Sequence, residues 1–164
     1  MRRSVQALVV TTLFLATAAG PVTSAAASQR QRCLGYQDLE EIVTITKQVD
    51  VPPAGPSDGD YSVYHDSLLN SAGTLVGYAD GRAVLFFKNS LPYQWVINTD
   101  HLPGGKIFSD GVVSIADVLA GDPATLSAVG ISGIYRGMVG TREFTLVAET
   151  AEHNYYSTSI KVCR

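Results

Sequence analysis

Charge is sparse in this chain and has no basic excess. Only 16% of its 164 residues are Asp, Glu, Lys or Arg, and twelve cations against fifteen carboxylates leave a net charge of −3. A protein that grips nucleic acid through its phosphates carries a basic patch or stripe, and nothing of that kind is present. Histidine is scarce too: His65, His101 and His153 stand alone, with no HxH, no HExxH and no cysteine-rich cluster, so a zinc site has no support. The one G-x-S-x-G match, Gly55 to Gly59, lies inside a run of proline and glycine breakers and not at a strand-to-helix elbow, and there is no G-x-G-x-x-G after a strand and no G-x-x-x-x-G-K-[ST]. Esterase-type nucleophiles, dinucleotide binding and Walker-type phosphate binding are thereby unsupported. His65-Asp66 resembles a base beside its orienting carboxylate, but neighbours on a strand point to opposite faces and do not pair. Disorder is excluded as well, because 46% of the residues are hydrophobic and the glycines and prolines are scattered.

What is present begins with a leader. Arg2 and Arg3 form a positive segment, Ala7 to Ala19 an apolar one, and Ala25-Ala26-Ala27 small residues for cleavage before Ser28. That is the pattern of a secretory signal over 1–27. As a membrane helix the apolar run is short and interrupted by Thr11, Thr12 and Thr17. Cleavage leaves 28–164 as one domain, extracytoplasmic and without a membrane span. Its two cysteines, Cys33 and Cys163, sit near its two ends, and in an oxidising compartment they read as one disulfide.

The mature chain reads as strands. Ile42 to Val49 is rich in β-branched residues, and the breakers from Pro52 to Gly59 follow as a loop. Further strands are expected over Tyr61–Leu69, Thr74–Lys88, Pro92–Asp100, Lys106–Ile115, Thr125–Val129, Arg142–Glu149 and Asn154–Cys163. Asp117 to Pro123 reads as loop, and Gly130 to Gly137 as a structured turn or a single helical turn. Eight short strands with no helical window and no repeat predict an all-β fold, an eight-stranded antiparallel barrel whose closure removes exposed edges. The first and last strands are neighbours in such a barrel, which brings the cysteines together. Alternation puts Phe144, Leu146 and Ala148 on one face of the seventh strand and Glu143, Thr145 and Glu149 on the other. A barrel of this size has room for packed side chains or for one small ligand, and both remain open.

The stretch Gly130-Ile131-Ser132-Gly133-Ile134-Tyr135-Arg136-Gly137, followed by Gly140, resembles the G-x-[ST]-G-x-Y-x-G-x-x-G signature of the allene oxide cyclase-like and dirigent-like barrels. Ala72 to Gly77, Gly105-Lys106-Ile107 with Gly111, and Asp117-Val118 agree with it. Within that group the chain is similar to the bacterial spirotetronate and spirotetramate cyclases and to the related tetronate-polyether barrels. The resemblance implies a calycin-like barrel with a central apolar pocket. It implies a cyclase without cofactor, acting by [4+2] cycloaddition or a related ring closure on an apolar polyketide-like molecule, with a homodimer as the candidate assembly. The family's pocket positions fall on Tyr64, Ile115, Leu126, Phe144 and Leu146, and on either Val96 or, with a slip of one residue, Trp95. A secreted binder of an apolar small molecule and a dirigent-like protein that orients radicals are the alternatives. For the leader the expected outcome is concrete: N-terminal sequencing of exported protein begins at Ser28, and protein retained in the cytosol with Met1 in place contradicts it.

Overall fold

Alternating inward and outward side chains turn the extended segments into one closed sheet. The computed structural model describes residues 32–164; the leader expected over 1–27 lies outside the described residues. The strands are β1 (Cys33–Val49), β2 (Tyr61–Leu69), β3 (Leu75–Lys88), β4 (Leu91–Leu102), β5 (Gly105–Ser114), β6 (Ala124–Gly130), β7 (Val139–Glu149) and β8 (Asn154–Cys163). Each pairs antiparallel with the next, and β8 closes on β1. The eight-stranded antiparallel barrel expected from strand spacing is the fold. Among the described residues no helix is long and apolar enough to cross a membrane.

β1 is much longer than its β-branched half. It begins at Cys33, because Leu34 and Tyr36 already point inward and pair with β8. A bulge between Tyr36 and Leu39, with Asp38 at φ 52, then shifts the inward positions by one residue to Leu39 and Glu41. A strict two-residue pattern breaks at such a bulge, which is why this half of the strand does not read as one. The fifth strand ends at Ser114 and not at Ile115. Ser114 caps a short helix, α1 (Ile115–Leu119), its hydroxyl accepting the Asp117 N–H at 3.3 Å. The Ser-x-x-Asp spacing that makes this cap is present in the sequence, where the stretch from Asp117 reads as loop.

The interior is layered along the barrel axis. One end is solid: Leu39, Leu68, Leu102, Ile107, Met138, Ile160 and Val162 pack together there. The turn after β6 lies across that end as one 3-10 turn, Gly133–Tyr135. Tyr135 is buried in the plug while its hydroxyl donates to the Pro103 carbonyl at 2.8 Å, and the Ile134 N–H donates to the Gly104 carbonyl at 2.9 Å. Gly133 has φ +61, and a Cβ there would run into the Gly104 carbonyl, so only glycine serves. The middle layer is polar, with Glu41, Asp66, Asn98, Asp100, Ser109, Arg142 and Thr158 all buried. The third layer is a partly hollow wall around Val96, Val113 and Leu126.

Cys33 pairs with Cys163 across the β1–β8 seam and is bonded to it. The backbone bonds between Arg32 and Arg164, at 2.9 and 3.0 Å, continue the seam beyond the disulfide. Replacing both cysteines by serine is expected to cost up to about 5 kcal/mol, the chain-entropy limit for so long a loop. The β1–β8 ladder persists, so denaturant unfolding shifts while the far-ultraviolet circular dichroism of the native protein does not.

Candidate functional site

The hollow end of the barrel holds a chamber of about 130 Å³. Its wall comes from strand positions two residues apart: Val43 and Ile45 on β1, Tyr64 on β2, Val96 on β4, Val113 on β5, Phe144 on β7 and Tyr156 on β8. Phe144 meets Tyr156 edge-on with ring centres 5.5 Å apart. The Tyr64 ring lies over Gly81, its cross-strand partner on β3, where a Cβ would collide with the ring. A glycine at that one position lets an aromatic lie flat along the wall. Ser62, Ala83 and Gln94 form the rim, and Val118 of α1 overhangs it.

The floor is charged. Glu41, Asp66 and Arg142 line the chamber from below. Arg142 donates through Nη2 to Glu41 Oε1 at 2.5 Å and through Nε to Asp100 Oδ1 at 3.2 Å. The Thr158 hydroxyl donates to the other Glu41 oxygen, the Thr44 N–H to Asp66 Oδ1 at 3.2 Å, and the Asn98 amide to Asp100 Oδ1 at 2.9 Å. Three carboxyls thus face one guanidinium, and burial makes the surplus negative charge expensive.

Protonation resolves the imbalance. Burial drives the Glu41 carboxyl up, but the Arg142 charge and hydrogen bonds from Thr158, Asp66 and Arg142 outweigh it and hold Glu41 below the usual carboxylate range. Asp66 goes the other way. Burial first, then the negative Glu41 beside it, push Asp66 up to about 9. It therefore carries its proton at neutral pH and shares a hydrogen bond with Glu41. Burial also raises Asp100, against the pull of Arg142, and its Oδ2 has no partner. Burial opposes the Arg142 charge, yet Glu41 and Asp100 overcome it and keep the guanidinium protonated. Burial raises the Tyr64 and Tyr156 hydroxyls, so both remain phenols.

Of the pocket positions expected from resemblance, Tyr64, Val96 and Phe144 line the chamber. Trp95 does not. Val96 takes the inward register and Trp95 is 45% exposed on the outer face, paired across strands with Val84 and Val112. Leu126 is wholly buried behind the wall, packed in the same cluster as Val96 and Val113. Ile115 begins α1 and borders the groove beyond the chamber's rim, not the chamber itself. Leu146 is half-buried and outside the chamber lining, and the β7 bulge between Leu146 and Ala148 shifts the alternation there. The interior is less uniformly apolar than the expected pocket, because its floor is the charged layer. Glu41, Asp66, Asp100 and Arg142 were all missed. The available signal was alternation: Asp66 lies between Tyr64 and Leu68 on the inward face, and Arg142 precedes Phe144 on its own. His65 points outward, where it meets Asp80 at 2.8 Å.

The profile described as the allene oxide cyclase barrel like domain matches residues 40–162. The chain belongs to that family. Solved structures of other proteins share its fold. The Diels–Alderase AbmU from Streptomyces koyangensis has a TM-score of 0.69 at 23% identity, over 80% of this chain and 63% of that one. AbnU, described as an exo-specific intermolecular Diels–Alderase, has a TM-score of 0.68 at 25% identity, over 82% of this chain and 98% of that one. The chain is also 27% identical over 125 residues to a type 1 encapsulin shell protein of Brevibacterium linens, covering 73% of this chain but only 43% of the shell protein.

The charged floor makes two opposite predictions. Arg142→Met leaves buried carboxylates without their cation and is expected to destabilise the barrel by about 3–5 kcal/mol. Asp66→Asn is expected to stabilise it. Between the ordinary carboxyl value of 3.8 and about 9, folded Asp66 holds a proton that the unfolded chain has released, so the parent loses stability as pH rises. Asparagine does not titrate, so its melting-temperature advantage over the parent widens from acid towards alkaline pH.

Proposed function

We propose that the protein is a cofactor-independent, extracytoplasmic cyclase that folds a linear or partly cyclised polyketide in the barrel and promotes an intramolecular [4+2] cycloaddition or a related ring closure. A tetronate- or polyether-type precursor is the substrate class proposed. The observation that carries this reading is the chamber itself: an aromatic and aliphatic wall above hydrogen-bonding groups, in a barrel whose structural relatives include Diels–Alderases.

An intramolecular cycloaddition moves no proton to or from the protein and needs no nucleophile. Its barrier includes the entropy of bringing diene and alkene face to face. A rigid wall that accepts only the folded conformer removes much of that cost, up to about 7–11 kcal/mol in favourable cases. Tyr64, laid along the wall by Gly81, and Phe144, held edge-on by Tyr156, are the surfaces proposed to select that conformer. The Tyr64 and Tyr156 hydroxyls remain protonated and act as hydrogen-bond donors to a substrate carbonyl, whose developing charge they stabilise. Val96 completes the wall opposite, while Leu126, Leu146 and Ile115 act from behind or outside it.

The test is incubation of the purified mature protein with a linear precursor carrying a diene and an electron-poor alkene. Conversion to the cyclised product at a rate well above the uncatalysed one supports the reading; tight binding without conversion overturns it in favour of a carrier. Phe144→Ala is expected to lower kcat/KM on the order of tenfold to a hundredfold while the circular dichroism stays native. Unchanged turnover removes Phe144 from the mechanism.

A further inference from the structure

At about 130 Å³ the inner chamber is smaller than the several hundred Å³ that small-molecule sites usually offer. It is also not the whole of the space. Ser62, Ala83 and Gln94 belong both to its rim and to an outer groove of about 380 Å³. The groove runs beneath the loop between β1 and β2, with Val49, Pro56 and Leu85 on its sides and Ile115 at its border. That loop is tied down. The Asp60 carboxylate accepts the Val51 and Ser57 N–H groups, each at 2.8 Å, and backbone bonds of 2.9 and 2.7 Å join Gly59 and Asp60 to Leu85. The groove therefore has a fixed roof, and the two spaces meet end to end at a collar of small or flexible side chains.

The other end of this path has a defined chemistry. Arg142 is engaged by Glu41 and Asp100, and Glu41 by Arg142 and Thr158. No floor charge is left for an ionic guest, which would lose its water without gaining a counter-ion. Asp66 is different: it lines the chamber, and one of its oxygens is held by the Thr44 N–H. Its proton can turn from Glu41 to a guest without stranding Glu41, which keeps its other two partners.

We propose that the barrel takes an elongated, uncharged guest end-on, with a carbonyl oxygen accepting a hydrogen bond from the Asp66 carboxyl on the floor and an apolar chain leaving past Ser62, Ala83 and Gln94 into the groove beneath the β1–β2 loop. This rests on the reading of the inner chamber as the substrate site and specifies what that site recognises. The charged and titratable groups around Asp66 are Glu41 from β1, Tyr64 on its own strand, Asp100 from β4, Arg142 from β7 and Tyr156 from β8. Burial raises both Asp66, to about 9, and Asp100; of the two, Asp66 is the one that lines the chamber.

The experiment titrates the mature protein with 2-undecanone, with decanoate and undecane as matched probes, by calorimetry or ligand-observed NMR. At neutral pH the ketone is expected to bind about tenfold more tightly than either probe, the effect of one buried hydrogen bond. Asp66→Leu loses about that factor for the ketone and leaves undecane unchanged. Asp66→Asn, which keeps an N–H donor, retains ketone binding. Parent affinity falls as pH passes about 9, while the Asn variant stays flat. Ala83→Trp, which fills the collar, weakens 2-undecanone and spares 2-pentanone. Equal binding of ketone and decanoate, or ketone binding insensitive to Asp66→Leu in a variant with native circular dichroism, overturns the end-on pose. These readouts need no turnover. A parent that binds the ketone as described yet leaves a linear precursor unconverted overturns cyclisation alone, and one that cyclises while indifferent to Asp66 overturns the pose alone.

Discussion

The ion pair between Arg142 and Glu41, extended to Asp100, is the constraint on which the barrel interior depends. Eight strands closed on themselves leave a space that must be filled, and a fully apolar filling would make it solid throughout. Here a single guanidinium reaches across the axis from β7 to β1 and β4 and holds charge in the middle of the stack. The desolvation this costs is offset by the paired contacts of Arg142 with Glu41 and Asp100 and by the Thr158 hydroxyl on Glu41, while one Asp100 oxygen stays unpartnered. The protonated Asp66 follows from that layer, since a third ionised carboxylate beside Glu41 has no cation left to meet.

The layer also divides the barrel. Below it, Leu39, Leu68, Ile107, Met138 and Ile160 pack into a plug capped by the turn around Tyr135. Above it the strands splay round a chamber whose wall is apolar and whose floor is hydrogen-bonding. Rigidity at one end and space at the other are what a conformational template needs. The plug holds the strand register, and the register aims Tyr64, Val96 and Phe144 at one volume. The floor adds a proton-bearing carboxyl, Asp66, that no sequence motif announces.

On this plan the wall and the floor are set by different positions along the same strands. Changing an aromatic at the open end alters the shape accepted. Changing a carboxyl in the middle layer alters the polarity read, and it also touches stability. That coupling restricts how the floor can vary: any substitution there must keep the count of charges and protons balanced.

Much of this was legible without coordinates. Eight extended segments, the glycine-rich turn after the sixth and two cysteines near the ends were enough for a closed antiparallel barrel with its seam at Cys33 and Cys163, because strand period and turn chemistry are local properties. The first half of β1 was not legible, since the bulge near Asp38 breaks the period, and the choice between Trp95 and Val96 waited on a register that only pairing with β3 and β5 sets. The charged floor was hidden for a deeper reason. Glu41, Asp66, Asp100 and Arg142 come from four strands spread over the chain, and each looks like a surface charge on its own. Only closure of the sheet brings them within hydrogen-bond reach and away from water, and it is that loss of water, absent from any single segment, that decides which of them keeps a proton.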